Sequence, residues 1–285
     1  MDVKIGIIGG SGIRKIEGFS NVKKVKVDTP FGKPSGEYTV GTLGGKKISF
    51  LPRHGEGHVI MPSEINFRAN IYGFKKLGVQ RIISVSAVGS MKEKIKPGEL
   101  VLVKQFYDNT KSRHSTFFGE GLVAHLSMAE PVCGELVSII KKSGENIGVK
   151  IPVAGTYLCI EGPQFSTRGE SHIYRKWGVD VIGMTNMPEA KLAREAEMCY
   201  ATIAMITDYD CWHEGDEAVT VEMVIKRLDE MAGNVKRVIK EVVKNIPESR
   251  TCCCKDMMRN TIITEKEAIS EKKKKELEPI IGKYF

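Results

Sequence analysis

Short apolar runs alternate with amphipathic segments along most of the chain. Continuous β-branched runs indicate buried strands, whereas apolar residues spaced at i, i+3 and i+4 indicate helices that cover a sheet. Predicted strands lie at 3–8, 25–27, 38–43, 47–51, 81–87, 100–103, 152–159, 179–184 and 200–207. Predicted helices lie at 135–147, 168–177, 188–198 and 220–244, and one more opens at Pro62 with Ser63 as its N-cap. This order predicts an α/β fold with a mixed, mostly parallel central sheet flanked by helices.

The alternation continues to about residue 246 without a repeat or a linker, which predicts a single domain over 1–246. Residues 247–285 differ in composition and are predicted to form a charged C-terminal extension with a cysteine cluster. Among 285 residues, 41% are hydrophobic and 27% charged, which excludes disorder, collagen and coiled coil as descriptions of the whole chain. No apolar run reaches the length of about 18 residues that a membrane span needs, and the N-terminus is typical of a strand rather than a signal peptide. We therefore expect a cytoplasmic protein with no membrane partner.

The net charge is +8, from 43 Lys and Arg against 35 Asp and Glu, and it favours anionic partners. Part of the excess lies in the extension, in the lysine run at 272–275. The sequence has no zinc-finger spacing, RNP motif or helix-turn-helix signature, so nucleic acid is not an expected partner. A non-enzymatic protein that binds nucleotides or nucleic acid stays open as an alternative class, and phosphate-dependent release of a base would distinguish an enzyme from it.

Polar residues follow several predicted strands, at the edge where open α/β sheets bind ligands. Ser11 stands in the glycine turn after the first strand, and Ser86 stands near the end of the fifth. Arg53 and His54 follow the fourth strand. The glycine turn lacks the spacing of a dinucleotide site, and no Walker A sequence occurs. Hydroxyl, guanidinium and imidazole donors suit an oxyanion, so the sequence predicts a phosphate-sized pocket.

Two acids, Asp208 and Asp210, follow a wholly apolar predicted strand. Acids in this position form either a solvent-facing turn or a site, and the apolar neighbours Cys211 and Trp212 favour a site. Two carboxyls that share an apolar site have pKa values pushed apart, so that one can donate a proton while the other stays ionised. These two acids are therefore the candidate catalytic groups.

Seven cysteines are present, and Cys252, Cys253 and Cys254 are consecutive. A zinc site of the finger type needs a second ligand pair at a spacing such as C-x-x-C, which the sequence lacks. His54 and His58 stand four residues apart, but the glycines between them disfavour the helix that would direct both at one metal. We therefore expect no metal site.

Seven segments carry a recognisable combination of motifs. They are IGGSG at 8–12, DTPFGKP at 28–34, RHG at 53–55, IMPS at 60–63, MAEP at 128–131, EGPQFSTR at 161–168 and TDYDCW at 207–212. Together they resemble the trimeric purine nucleoside phosphorylase family, and within it the methylthioadenosine phosphorylases. EGPQFS and TDYDCW are highly specific, whereas GGSG alone is not. The resemblance covers about residues 5–246, and the extension departs from it.

This resemblance implies an enzyme, a pentosyltransferase that catalyses phosphorolysis. Inorganic phosphate would attack the anomeric carbon of 5′-methylthioadenosine and release adenine and 5-methylthioribose-1-phosphate for purine and methionine salvage. It implies no cofactor and no metal, with inorganic phosphate as co-substrate, and a homotrimer or a dimer of trimers. A broader adenosine or 6-oxopurine nucleoside phosphorylase stays open, although a 6-oxopurine site would favour an amide in place of Asp208.

The same resemblance implies a role for each residue at a matching motif position. The expected phosphate-binding residues are Ser11, Arg53, His54, Ser86, Ala87 and Thr185. The expected substrate-binding residues are Phe165, Ser166, Met184, Asp208, Asp210, Val221, Val224 and His125. Met184 would pack under the ribose, and the two valines would line an apolar pocket for the 5′ group. His125 would reach the site of a neighbouring subunit.

The C-x-C pattern of Cys252 and Cys254 is similar to that of hyperthermophilic members of this family, which carry disulfides near the C-terminus. The resemblance therefore raises the hypothesis that Cys133 and Cys199, or Cys199 and the cluster at 252–254, are oxidised. Seven free thiols on the denatured, unreduced protein would contradict this hypothesis.

Overall fold

The computed structural model describes residues 3–10, 16–213 and 220–285, and ten strands in these ranges form one sheet. The strands are β1 (Ile5–Gly9), β2 (Ser20–Val25), β3 (Tyr38–Leu43), β4 (Lys46–Pro52), β5 (Arg81–Ser90), β6 (Leu100–Leu102), β7 (Gln105–Asn109), β8 (Thr156–Ile160), β9 (Val181–Gly183) and β10 (Cys199–Asp208). Their order is β2-β3-β4-β1-β5-β9-β8-β7, and β10 pairs with both β5 and β6 beside this path.

Helices cover the sheet. They are α1 (Phe67–Lys76), α2 (Gly134–Asn146), α3 (Arg168–Lys176), α4 (Asn186–Glu195), α5 (Val221–Asn245), α6 (Glu271–Glu276) and α7 (Glu278–Ile281). The predicted α/β architecture, a mixed sheet flanked by helices, is therefore confirmed. Among the described residues, no helix combines the length and apolar character that crossing a membrane requires.

The centre of the sheet is parallel, which brings four strand ends to one edge. Strand β1 pairs in parallel with β4 and β5, and β5 pairs in parallel with β10. Strands β1, β5 and β10 are buried almost throughout, as strands between two helical layers are. Residues at the carboxyl ends of β1, β4, β5 and β10 therefore meet at one edge.

Helix α1 begins later than the sequence predicts. Asn66 is its N-cap, and the Asn66 side-chain oxygen accepts a hydrogen bond from Ala69 N at 3.0 Å. The prediction of Ser63 as N-cap is wrong. The residues before Asn66 form a separate turn, in which Glu64 N donates to Met61 O at 3.0 Å and Met61 N donates to the Glu64 carboxylate at 3.0 Å. Asn is as good an N-cap as Ser, so local propensity alone did not distinguish them.

The C-terminal extension packs back onto the domain. Met258 and Leu277 are buried in the same core cluster as side chains of α1 and α4. The hydroxyl of Tyr72 on α1 donates to Glu276 O at 2.7 Å. The extension therefore contributes apolar side chains to the core in spite of its high charge.

Candidate active site

A cluster of buried hydroxyl groups joins Ser86, in the second half of β5, to Thr185, directly before α4. Ser86 Oγ lies 3.1 Å from Thr185 Oγ1, and both side chains are buried. The hydroxyl of Tyr157 lies 3.3 Å from Ser86 Oγ and accepts a hydrogen bond from Thr185 N at 3.4 Å. Ala87 follows Ser86 and is half-buried. The fold thus brings together three of the residues expected to bind phosphate.

Arg53 is buried directly after β4, where Glu189 of α4 holds it. Nε donates to Glu189 Oε2 at 2.7 Å and Nη2 donates to Glu189 Oε1 at 2.9 Å, and the two side chains are 2% and 0% exposed. Nη2 also donates to Ser84 Oγ at 2.7 Å, and Nη1 donates to Val85 O at 2.8 Å. Within the described part of the chain these contacts use four of the five guanidinium N–H groups, which leaves one on Nη1 for an anion.

His54 is half-buried beside Arg53. Its Nδ1 lies 2.9 Å from Ile60 O, and its ring stacks on His58 with centroids 4.3 Å apart. Burial lowers the pKa of His54 to about 4, and the neighbouring Arg53 charge acts in the same direction. The imidazole is therefore neutral at neutral pH. Because a carbonyl oxygen can only accept, Nδ1 carries the proton and Nε2 is an acceptor, not the donor that the sequence predicts.

The acids at the end of β10 form a buried pair. Asp208 pairs in register with Gly89 of β5, and Asp208 and Asp210 are 9% and 6% exposed. Thr207 Oγ1 donates to Asp208 Oδ2 at 2.6 Å, and Asp210 N donates to Asp208 Oδ1 at 2.7 Å. Burial raises the pKa of both carboxyls, and the charge of Asp208 raises the pKa of Asp210 further. This burial excludes a solvent-facing turn.

Neighbouring residues hold the acid turn in place. Asp210 has a left-handed backbone with a φ of 54°, a conformation that is uncommon for non-glycine residues but that aspartate adopts more readily than most. The indole Nε1 of buried Trp212 donates to Ser90 O at 2.7 Å and fixes the turn on β5. Gly89 makes room for the carboxyl, since a Cβ there would lie 2.8 Å from Asp208 Oδ1. The glycine on β5 therefore permits the close approach of the acid.

Arg113 connects the loop after β8 with Met184. Its Nη1 donates to Met184 O at 2.7 Å, and its Nη2 donates to Glu161 O at 2.7 Å. Its Nε also forms a 2.7 Å ion pair with the Glu161 carboxylate. At the far end of the same loop, Cys211 Sγ donates to Ser166 O at 3.3 Å. The loop thus joins Met184 to the acid turn.

Most of the remaining predicted substrate contacts are exposed in the single chain. Phe165 is 46% exposed and Val221 is 64% exposed. His125 is exposed too, and Val224 is half-buried near the start of α5. Ser11 lies outside the described residues. The buried part of the candidate site therefore consists of Arg53, Ser86 and Thr185 on one side and the two acids on the other.

A family model described as the phosphorylase superfamily matches residues 4–244. The chain belongs to the phosphorylase superfamily. It is 56% identical to the S-methyl-5′-thioadenosine phosphorylase of Koribacter versatilis over 100% of this chain and 98% of that protein. It is 52% identical to the protein of the same name from Geobacter sulfurreducens, over 100% of both chains. Membership of this superfamily makes the chain an enzyme and removes the alternative of a non-enzymatic binding protein.

Solved structures of phosphorylases have the same fold. The crystal structure of a methylthioadenosine phosphorylase from an Antarctic soil metagenomic library superposes with a TM-score of 0.93 at 46% identity, covering 98% of this chain and 99% of that chain. A methylthioadenosine phosphorylase from Schistosoma mansoni in complex with adenine superposes with a TM-score of 0.81 at 39% identity, covering 85% and 91%.

Glu189, Tyr157 and Arg113 contact the expected site residues Arg53, Ser86 and Met184, and the sequence pattern did not single them out. The charge pattern of the helix that carries Glu189 suggests a solvated acid, yet the side chain is 0% exposed because it neutralises Arg53. A signal was present: Glu189 occupies the same helical stripe as Leu192, Ala193 and Ala196. A single acid on an apolar stripe indicates a buried partner of opposite charge.

The phosphorylase is expected to lose stability as the pH falls below about 6.5, the pKa of an unfolded histidine, because His54 in the folded chain resists protonation. The unfolded state then binds more protons than the folded state, and the loss reaches about 2 kcal/mol at pH 4.5. His54→Gln removes this part of the pH dependence. Urea unfolding at pH 7 and pH 4.5 measures it, with His125→Gln as the control at an exposed histidine. An equal acid sensitivity of wild type and His54→Gln would contradict the prediction.

Proposed function

We propose that this phosphorylase cleaves 5′-methylthioadenosine with inorganic phosphate and forms adenine and 5-methylthioribose-1-phosphate. The observation that carries the proposal is a pair of buried acids at the end of β10, on the sheet edge that also holds buried Arg53. One end of the site suits an anion and the other suits a purine. Relatives at 52% and 56% identity, named S-methyl-5′-thioadenosine phosphorylase, support the substrate.

The phosphate-binding groups in this proposal combine a fixed charge with hydroxyl donors and one acceptor. They are Ser11, Arg53, His54, Ser86, Ala87 and Thr185. Arg53 supplies the free N–H of Nη1, and Ser86 and Thr185 supply hydroxyls. His54 Nε2 accepts from a P–OH group, since its Nδ1 proton is directed at Ile60 O. Monohydrogen phosphate has such a proton and sulfate does not, so this arrangement favours phosphate.

Strand β5 sets the distance between the two ends of the site. Ser86 on the phosphate side and Gly89 beside Asp208 are three residues apart on this strand. A strand rises about 3.3 Å per residue, so the two ends are separated by about 10 Å, which accommodates a ribose between phosphate and purine. Met184 lies between β9 and α4, where Arg113 ties it to the loop after β8, and in this proposal it packs under that ribose.

The two acids stabilise the departing base. An oxocarbenium-like transition state needs a positioned anion below the sugar and a proton for the purine that leaves. In this proposal Asp208 is the neutral acid and donates a proton toward N7, and burial raises its pKa in the direction that this role needs. Asp210 accepts from the 6-amino group. Adenine offers this combination of N7 acceptor and N6 donor.

The 5′ group of the substrate meets apolar side chains. Val221 and Val224 stand in the first turn of α5, and their methyl groups suit a thioether. A 5′-hydroxyl in such a pocket would lose its hydrogen bonds to water, at a cost of about 1–3 kcal/mol. The proposal therefore ranks methylthioadenosine above adenosine. It requires no cofactor and no metal, and it assigns the reaction to the cytoplasm.

A panel of nucleosides with and without phosphate tests this function. Methylthioadenosine, adenosine and inosine are assayed for base release and for the sugar 1-phosphate at equal concentrations. The expected result is phosphate-dependent adenine release with the highest kcat/KM for methylthioadenosine. A higher kcat/KM for adenosine or inosine would instead favour the broader nucleoside phosphorylase, and base release without phosphate would contradict phosphorolysis.

We further propose that the active form is a homotrimer or a dimer of trimers in which His125 completes a neighbouring subunit's site. One observation supports it: Phe165, Val221 and His125, which are all proposed substrate contacts, are exposed in the single chain. A second subunit would cover these side chains and exclude water from the reaction. Sedimentation equilibrium would contradict the proposal if it showed an active monomer of 31.6 kDa.

Mixing two inactive variants is expected to restore activity if subunits share sites. His125→Ala lacks the donated residue, and Asp208→Asn lacks the acid of its own site. Refolding an equal mixture gives about one complete site in four, since each complete site needs His125 from one chain and Asp208 from the other. The measurement is kcat for the mixture against each variant refolded alone. No recovery in mixed oligomers would contradict a shared site.

A further inference from the structure

Four cysteines from three separate parts of the chain converge on one point. Cys133 directly precedes α2, Cys199 is the first residue of β10, and Cys252 and Cys254 belong to the C-terminal extension. Their four sulfur atoms all lie within 4.8 Å of one another, and Cys199 Sγ is 3.3 Å from Cys252 Sγ. Three of the four side chains are buried and Cys252 is half-buried. We name these four residues the cysteine tetrad.

Polar contacts from the surrounding fold dock the extension onto the other two cysteines. The Glu135 carboxylate, in the first turn of α2, accepts hydrogen bonds from the backbone N–H groups of Thr251 and Cys252, both at 3.0 Å. Cys133 N donates to Tyr200 O at 2.9 Å, which holds the start of α2 against β10. The tetrad is therefore assembled by contacts that do not involve its sulfur atoms.

The geometry points to a structural zinc site: we propose that the cysteine tetrad binds one Zn²⁺ through four thiolates. A Zn–S bond is about 2.3 Å long, so the sulfur atoms of a tetrahedral site lie about 3.8 Å apart, a spacing compatible with the tetrad. The sequence expectation of no metal rested on the missing second ligand pair. Folding supplies that pair as Cys133 and Cys199. Four protein ligands leave no position open, so the zinc would hold structure and take no part in catalysis.

The surroundings favour the negative charge that four thiolates and one Zn²⁺ carry. Arg81 pairs in register with Cys199 across β5 and β10, and its side chain is 1% exposed. Nη2 donates to Ser249 O at 2.8 Å, whereas Nη1 is buried and has no hydrogen-bond partner among the described residues. The N-terminus of α2 also begins at Cys133 and favours a thiolate there. Arg81 Nη2 also lies 3.7 Å from the Glu135 carboxylate, so Arg81 would offset only part of the charge near bound metal, and the helix N-terminus would offset more of it.

Disulfides would use the same sulfur atoms in a different way. Formation of each disulfide from two thiols transfers two electrons to an oxidant, whereas binding of Zn²⁺ only releases protons from the thiols. One Zn²⁺ would use all four sulfur atoms at once, whereas disulfides would join them in pairs. The hypothesis of an oxidised Cys133 or Cys199 stays a prediction, and it becomes the competing outcome of the experiment.

Metal content and thiol count of the full chain test the proposal together. The protein is purified under reducing conditions without chelator, equilibrated with Zn²⁺ and passed over a chelating resin. The expected result is about one zinc per chain. All seven cysteines should titrate as free thiols after denaturation in chelator without reductant. Cys199→Ser and Cys254→Ser should lose the zinc. Cys253→Ser, at an exposed cysteine between two members of the tetrad, is the matched control and should keep it.

Cobalt reconstitution keeps the test valid if a tetrad variant fails to fold. Wild type and Cys253→Ser loaded with Co²⁺ should show the intense visible bands of tetrahedral cobalt thiolates. Wild-type protein without zinc would overturn the proposal, whatever its thiol count. Fewer than seven free thiols in that case would favour disulfides. Zinc retained by Cys254→Ser, or lost by Cys253→Ser, would also overturn it. None of these measurements depends on phosphorolysis.

Discussion

Asp208→Asn is expected to lower kcat for methylthioadenosine by about two to four powers of ten, the usual effect of losing a general acid. The amide still offers an N–H to N7, so binding persists, but it cannot transfer a proton to the departing base. The measurement is kcat and KM at saturating phosphate, with little change expected in KM. A kcat close to that of wild type would contradict the assignment of Asp208 as the acid.

Asp210→Ala is the companion variant, because it removes the acceptor for the 6-amino group and leaves Asp208 in place. It should reduce kcat/KM for adenine nucleosides by about 5- to 150-fold, which corresponds to about 1–3 kcal/mol, since the 6-amino donor is left unpaired. Asp208→Asn should shift preference toward inosine, because an amide can donate to O6 as well as N7. Equal losses on methylthioadenosine and inosine in both variants would contradict separate roles for the two acids.

Glu189→Gln is expected to destabilise the fold by about 3–5 kcal/mol, the effect of breaking a buried ion pair on one side. The substitution conserves shape but leaves the buried Arg53 charge uncompensated. Urea unfolding at neutral pH without phosphate measures the loss. Saturating phosphate should recover part of it, because an anion bound at Arg53 would replace the missing negative charge.

The control for Glu189→Gln is Glu230→Gln, which breaks the exposed pair between Arg227 and Glu230 at 3.0 Å on α5. Exposed pairs contribute about 0–1 kcal/mol, so this variant should unfold close to wild type. An equal loss of unfolding free energy in the two variants would contradict a stabilising role for the buried pair of Arg53 and Glu189.

The candidate site residues at strand ends could be predicted from the sequence. Arg53, Ser86 and Asp208 stand at or near the ends of strongly apolar runs, and parallel pairing of those runs brings them to one edge. Local pattern and global fold agree there. The resemblance then added roles that spacing alone does not carry, such as that of Thr185.

Other features of the structure depend on contacts with distant parts of the chain, which the local sequence pattern does not predict. Strand β7 has the polar sequence QFYDN, and it is a strand because it pairs with β8. Glu189 is buried because Arg53 neutralises it. The cysteine tetrad joins residues 133, 199, 252 and 254, and no spacing rule links positions so far apart. In each case the deciding contact lies in another segment of the chain.

In the proposed function, β5 carries the phosphate side and the purine side on separate residues, so the two could diverge independently during evolution. Substitutions near Asp208 and Gly89 would change which base is recognised without disturbing Ser86 or its hydroxyl neighbours. A duplicated gene could thus acquire a new base preference while it keeps an intact phosphorolytic half. Enzymes that descend from such a duplication would be expected to change their nucleobase preference first and their attacking anion last.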